Sequence, residues 1–113
     1  MKGNTRDSPL KGGSLLLIIG TIRLPPNKLS DAISAMEAMI TSSRAEPGCI
    51  EYSYAEDVLV HGLIHIKEAW TSQAALDDHF ASAHITVWRS TWQSLGITDR
   101  HLVLYEVGDP KPS

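Results

Sequence analysis

Apolar and polar positions change their period several times between residues 15 and 107, and each change marks an element. Leu15-Leu-Leu-Ile-Ile-Gly-Thr-Ile-Arg23 is short, aliphatic and closed by Pro25-Pro26, the pattern of a strand running into a turn. Both parities of this strand are apolar. From Asn27 or Ser30 to about Ala45, Leu29, Ile33, Met36 and Ile40 recur at helical spacing, with Ala32, Ala35 and Met39 beside them, which predicts an amphipathic helix. Pro47-Gly48 ends it, and over Cys49 to Glu56 the residues Ile50, Tyr52 and Tyr54 alternate with Glu51 and Ser53 as a second strand. After a loop at Asp57 to Gly62, Leu63 to Trp70 reads as a third strand, with Ile64, Ile66, Glu68 and Trp70 on one face and His65 and Lys67 on the other. Thr71 or Ser72 caps a helix with inner positions Ala75, Leu76, His79, Phe80 and Ala83. A further helical stretch carries Ile85, Val87, Trp88, Thr91, Trp92 and Leu95 and stops at Gly96. His101 to Val107 is the last strand.

The order β-α-β-β-α-β is the ferredoxin-like arrangement, an α+β fold with an antiparallel sheet and its helices on one face. Helices on one face cannot cover a first strand that is apolar on both, nor a last strand with Leu102 and Leu104 on one side and Val103 and Tyr105 on the other. The uncovered face is a larger apolar patch than a soluble monomer normally shows, so a homodimer stacked sheet on sheet is expected. A twisted sheet with a weakly apolar open face would leave a monomer instead. Residues 1–13, rich in Gly and charge, read as a flexible leader, 14–107 as the single folded domain and 108–113 as a flexible tail.

Composition narrows the chemistry. A chain of 113 residues builds one core and has no room for a dinucleotide domain of its own. A single Cys excludes an internal disulfide framework and every Cys-rich metal or iron–sulfur pattern, and it suits a cytoplasmic location. The formal charge of -3 argues against nucleic acid as a partner, because phosphate binding needs a basic face. The longest apolar run, Leu15 to Gly20, is too short to span a bilayer.

Five His, three Trp and three Tyr carry the remaining information. His61 with His65, and His79 with His84, lack the spacing of a helical metal pair, and no Cys or carboxylate completes a set in sequence, so no metal site is expected. Cys49 reads as a small buried hydrophobe. His79 lies at the border of the helix face that packs on the sheet, and two readings stay open: a satisfied core histidine, or a general base in an apolar pocket. Trp70 would border the same space. Trp88 and Trp92, four apart, read as core or dimer packing; Arg89 is either solvated or at a pocket mouth, holding an anionic oxygen.

The run Ser43-Arg-Ala-Glu-Pro-Gly-Cys-Ile-Glu-Tyr52, then Lys67-Glu-Ala-Trp70, then Ser72-Gln-Ala-Ala-Leu-Asp-Asp-His79 with Ser82-Ala-His84, resembles the antibiotic biosynthesis monooxygenase family. The pattern is Arg-x-Glu-Pro-Gly-Cys-x-x-Tyr, Glu-x-Trp and Ala-x-x-x-His, and the resemblance runs from Leu15 to Val107. It implies a ferredoxin-like protomer in a dimeric α+β barrel. It also implies a monooxygenase that oxidises a hydroquinone-like or polyphenolic or anthrone aromatic with O2 and uses no metal, flavin or haem. The substrate's own anion can supply electrons to oxygen, leaving the protein to provide an apolar pocket, a base and a few hydrogen bonds. By motif, His79 would be the base or phenol partner, Trp70 a pocket wall and Tyr52 a contact from the sheet, with Phe80, Trp88 and Arg89 completing the substrate-binding set. Haem-degrading relatives carry an Asn, a Trp and a His at positions that here are Gly20, His79 and Arg89, which argues against haem degradation. Relatives that isomerise short sugar-like phosphates find no clear cationic counterpart here. A dimeric small-molecule-binding or stress-associated module without turnover is the alternative, since fold alone does not establish activity.

Overall fold

The computed structural model describes residues 15–113, so the leader expected at residues 1–13 lies outside the described residues. Its elements are β1 (Leu15–Arg23), a 3-10 turn (Pro26–Lys28), α1 (Leu29–Arg44), β2 (Cys49–Glu56), β3 (Leu63–Trp70), α2 (Gln73–Phe80), α3 (Ala83–Ser90), α4 (Trp92–Leu95) and β4 (Thr98–Val107). The sheet order is β2-β3-β1-β4 with every neighbour antiparallel, the ferredoxin-like topology that the periodicity predicts.

Register sorts the two faces of β1. Leu16 pairs Trp70, Ile18 pairs Glu68 and Ile22 pairs Ile64. All six are buried on the helix side of the sheet. Leu17 pairs Tyr105 and Ile19 pairs Val103 on the other side, where Ile19, Val103 and Tyr105 are exposed. The alternation of Ile64, Ile66, Glu68 and Trp70 against His65 and Lys67 holds as read.

Four sequence expectations shift. The inner stripe of α1 is Ala32, Met36, Met39 and Ser43, while Ile33 points outward and is 54% exposed. Ile33 lies one residue from Ala32, about 100° around a 3.6-residue helix, so only one of the two can face the sheet. Ile50 does not share the face of Tyr52. The register jumps from Cys49↔Trp70 to Glu51↔Ala69, so Ile50 is the extra residue of a β-bulge and is turned out. The second helical region breaks into three short helices at corners capped by serine and threonine: Ser72 accepts from the Ala75 N–H at 3.1 Å, Ser82 Oγ donates to the His79 carbonyl at 2.7 Å, and Thr91 donates to the Trp88 carbonyl at 2.6 Å. Gly96 closes the run in the left-handed region at φ 71. β4 also begins earlier than read, at Thr98.

The turn between α1 and β2 does most to fix the spacing of the elements around His79. Cys49 N–H donates to the Glu46 carbonyl at 3.1 Å, Pro47 occupies the second position and Gly48 the third with φ 86, the features of a type II turn. Its outer strut is the Gly48 carbonyl, which accepts from Thr71 N–H at 2.9 Å and so fastens the turn to the junction of β3 and α2. A side chain on Gly48 would meet Ala75 Cβ at 2.6 Å and Thr71 Oγ1 at 2.8 Å. Gly48→Ala is therefore expected to cost about 1–3 kcal/mol, through strain at positive φ and displacement of α2. Thermal unfolding should show a drop of several degrees; an unchanged melting temperature would contradict the close approach described.

Candidate active site

His79 sits in the last turn of α2 and is 1% exposed. Its ring packs on Trp70 at 4.6 Å between centroids, Tyr52 at 5.2 Å and Phe80 at 5.7 Å. Glu46, delivered by the type II turn, accepts from His79 Nδ1 at 2.7 Å and, through the same Oε2, from His84 Nε2 at 2.7 Å. The α2–α3 corner brings the second imidazole in: Ser82 N–H and Oγ both donate to the His79 carbonyl, and His84 follows two residues later with its ring 5.9 Å from that of His79. A carboxylate only accepts, so each imidazole nitrogen facing Glu46 carries a proton. In the neutral ring this leaves the lone pair on His79 Nε2. Burial holds the His79 pKa below the ordinary value, and the Glu46 carboxylate opposes that shift.

His79 lines a cavity with Tyr52, Tyr54, Glu68, Phe80, Trp88 and Arg89, and further residues including Trp92 and Arg100. Five of the six residues singled out from sequence thus come together. Trp70 does not reach this wall; it is fully buried behind His79 and Tyr52 and donates its indole N–H to Glu68 Oε1 at 3.0 Å. Trp88 meets Tyr54 edge-on at 6.0 Å. Phe80, read as an inner position, is 41% exposed at the rim, and the Arg89 guanidinium lies 5.9 Å from its ring centre and 6.0 Å from that of Trp92. The enclosed space is about 30 Å³, room for a water or two.

Glu46, His84, Glu68, Tyr54 and Arg100 are the site residues that sequence reasoning missed. Glu68 had a visible signal, a carboxylate among inward-facing Ile64, Ile66 and Trp70. It is 4% exposed, and burial pushes its pKa up to about 7, against the opposing pull of the Trp70 hydrogen bond and the Arg100 charge. Burial likewise raises the phenols, Tyr52 strongly and Tyr54 to about 12, so both stay protonated donors at neutral pH.

The model of the family described as "Antibiotic biosynthesis monooxygenase" matches residues 15–91. The chain belongs to that family. Among its relatives is a Synechocystis protein, sll1783, 36% identical over 69 residues, 61% of this chain and 47% of that one. The chain thus spans about half the length of that relative. Rv0793 of Mycobacterium tuberculosis, provisionally named a monooxygenase, is 32% identical over 77 residues, 68% of this chain and 75% of its own. Its solved structure superposes with a TM-score of 0.67 over 88% of this chain and 98% of its own, at 26% identity. A Deinococcus radiodurans protein provisionally named for the same family superposes with a TM-score of 0.80 over 87% of this chain and 97% of its own, at 23% identity, a likeness of fold. Among the described residues of this family member, no helix is long and apolar enough to cross a membrane.

Glu68 gives stability a pH dependence with a definite sign. Its folded pKa of about 7 exceeds the ordinary 4.5, so between these values the folded state holds a proton that the unfolded chain has released. This contribution is complete below pH 4.5 and disappears as pH rises to about 7, a change on the order of 3 kcal/mol. Relative to wild type, Glu68→Gln should melt higher at pH 8 than at pH 5. Parallel melting curves of the two proteins against pH would refute the buried, proton-holding carboxyl.

Proposed function

We propose that this protein is a monooxygenase that oxidises a hydroquinone-like or polyphenolic or anthrone aromatic with O2, with His79 as the general base and the substrate as the electron source. The observation that carries this reading is a buried imidazole whose Nδ1 is held by Glu46 and which lines an aromatic-walled cavity. Nε2 takes the phenolic or benzylic proton, and Glu46 steadies the imidazolium that forms. The substrate anion gives electrons to O2, one oxygen atom enters the product as a new carbonyl or hydroxyl and the other leaves as water, with two substrate hydrogens consumed. For an anthrone, C14H10O plus O2 becomes C14H8O2 plus water, so no external reductant is needed. Tyr52, Tyr54 and protonated Glu68 are the donors available to the developing oxyanions. Phe80 and Arg89 form the movable rim, and Trp70 supports His79 from behind.

The working particle in this reading is a homodimer. Leu17, Ile19, Val103 and Tyr105 form an apolar band on the outer face, and a second copy laid against it removes that band from water. Ile19→Lys would place a charge in the band. Light scattering should then report a shift from a dimer toward the 12.4 kDa single chain; a wild-type chain that already runs as a monomer would defeat the stacking.

Oxygen uptake with a reduced naphthoquinone or an anthrone tests the chemistry. His79→Gln should lower kcat about a hundredfold or more while folding and assembly persist. Because His79 titrates below the ordinary histidine value, kcat/KM should be level above about pH 6.5 and fall on the acid side. Equal rates for wild type and variant would remove His79 from the mechanism. Ligand-induced stabilisation without oxygen uptake above the uncatalysed rate would instead favour a binding module.

A further inference from the structure

Glu46, His79 and His84 each offer a ligand atom within 4.8 Å of the others, and Glu46 Oε2 lies 2.7 Å from both His79 Nδ1 and His84 Nε2, one oxygen and two imidazole nitrogens converging from three separate elements. We infer that this triad is a binding site for a divalent transition-metal ion of the zinc class, and that its occupation switches His79 from proton acceptor to proton donor. Two imidazoles and a carboxylate with an open fourth position form a donor set that suits Zn2+. Tetrahedral bonds of about 2.0–2.2 Å set ligand atoms about 3.3–3.6 Å apart, so the two 2.7 Å separations from Glu46 Oε2 widen by about 0.6–0.9 Å to admit the ion, within reach of side-chain rotation.

Access and support both favour the site. The side chains of His84 and Glu46 are 22% and 14% exposed, which leaves a way in for the ion and its remaining waters, while His79 is closed off at 2%. The backbone positions are fixed independently of the ion. Glu46 rides on the turn pinned by the Gly48–Thr71 hydrogen bond, and His84 on a helix start anchored to the His79 carbonyl.

The chemical consequence comes from the tautomers. In the metal-free triad Nδ1 of His79 carries the proton and Nε2 the lone pair. A metal needs the Nδ1 lone pair, so the neutral ring must place its proton on Nε2. His84 exchanges tautomer in the same way, from Nε2–H to Nδ1–H. No net proton is released, yet the ring nitrogen left to the cavity becomes a donor. The inhibitory half of the inference rests on the proposed role of His79 as base; the binding half does not.

The test uses the full chain, stripped with a chelator and titrated with Zn2+ by calorimetry. One ion per chain is expected, with affinity reduced about 100-fold in both His84→Ala and Glu46→Gln. His65→Ala should leave the affinity as it is, because His65 is an exposed residue paired with Asp57. Cu2+ in the wild-type chain should give an electron paramagnetic resonance spectrum with hyperfine structure from two imidazole nitrogens, a readout that needs no variant to fold. Absence of stoichiometric binding, binding that survives His84→Ala and Glu46→Gln, or a spectrum without two nitrogens would each overturn the site. If Zn2+ binds as described but leaves oxygen uptake unchanged, the triad stands as a metal site and the switching of His79 fails.

Discussion

The carboxylate of Glu46, shared between His79 and His84, is the contact on which the site depends. A buried imidazole with an unsatisfied N–H would cost about 1–3 kcal/mol, and that N–H would be free to choose its tautomer. Glu46 removes both problems at once. Its position in turn requires a chain reversal tight enough to bring the end of α1 over the start of α2. The Pro47-Gly48 turn provides the reversal, and Gly48 lets the backbone come close enough to Thr71 for a main-chain hydrogen bond. Arg44 adds a second tie, donating from Nε to the Tyr52 carbonyl at 2.8 Å, so the helix end and the adjoining strand move as one piece. A motif that looks like ordinary helix termination is thereby the mount for the ionisable pair.

Much of the fold was legible because it rests on local period. The alternation in β3, the Ser72 cap, the Gly96 stop and the two-faced apolarity of β1 are each written within a few residues, and the structure places them as read. The failures share a cause. Ile33 and Ile50 are apolar residues whose direction is set by helix phase and by a bulge, and neither is visible without the neighbouring element. The same holds for the site. His79 stood out from its own helix, but its partner is 33 residues earlier, across a turn whose sequence shows only that the helix ends. Glu68 was legible as an odd carboxylate on an apolar face; its pairing with Trp70 depends on both projecting to the same side of one strand, two residues apart.

The two faces of the sheet do different work with the same residue types. On the helix side, Leu16, Ile18 and Ile22 back the wall on which Tyr52, Glu68 and Trp70 stand, so aliphatic packing fixes the polar atoms that matter. On the outer side, no helix among the described residues covers Leu17 and Ile19, and β4 extends the apolar band instead of closing it. One strand therefore connects the cavity to the open face through its alternating side chains. A displacement of β1 along its register would exchange the two sets, which is why an aliphatic strand with both parities filled still needs Glu68 and Trp70 opposite it to define which side is inside.

The cavity holds two ionisable groups biased in opposite directions by the same physical cause. Burial favours the uncharged form of each: an imidazole that resists taking a proton, and a carboxylic acid that resists losing one. Near neutral pH the pair can thus sit together without a buried net charge, one as an acceptor and the other as a donor, a division of labour that two ordinary side chains would not sustain at that pH. Arg100 moderates the bias from the rim by pulling the Glu68 pKa down, and Glu46 does the corresponding work on His79 by pulling its pKa up. Both corrections bring the groups toward the range where proton exchange is facile in either direction. The polar atoms around this cavity are therefore graded from charged at its edges to neutral at its centre.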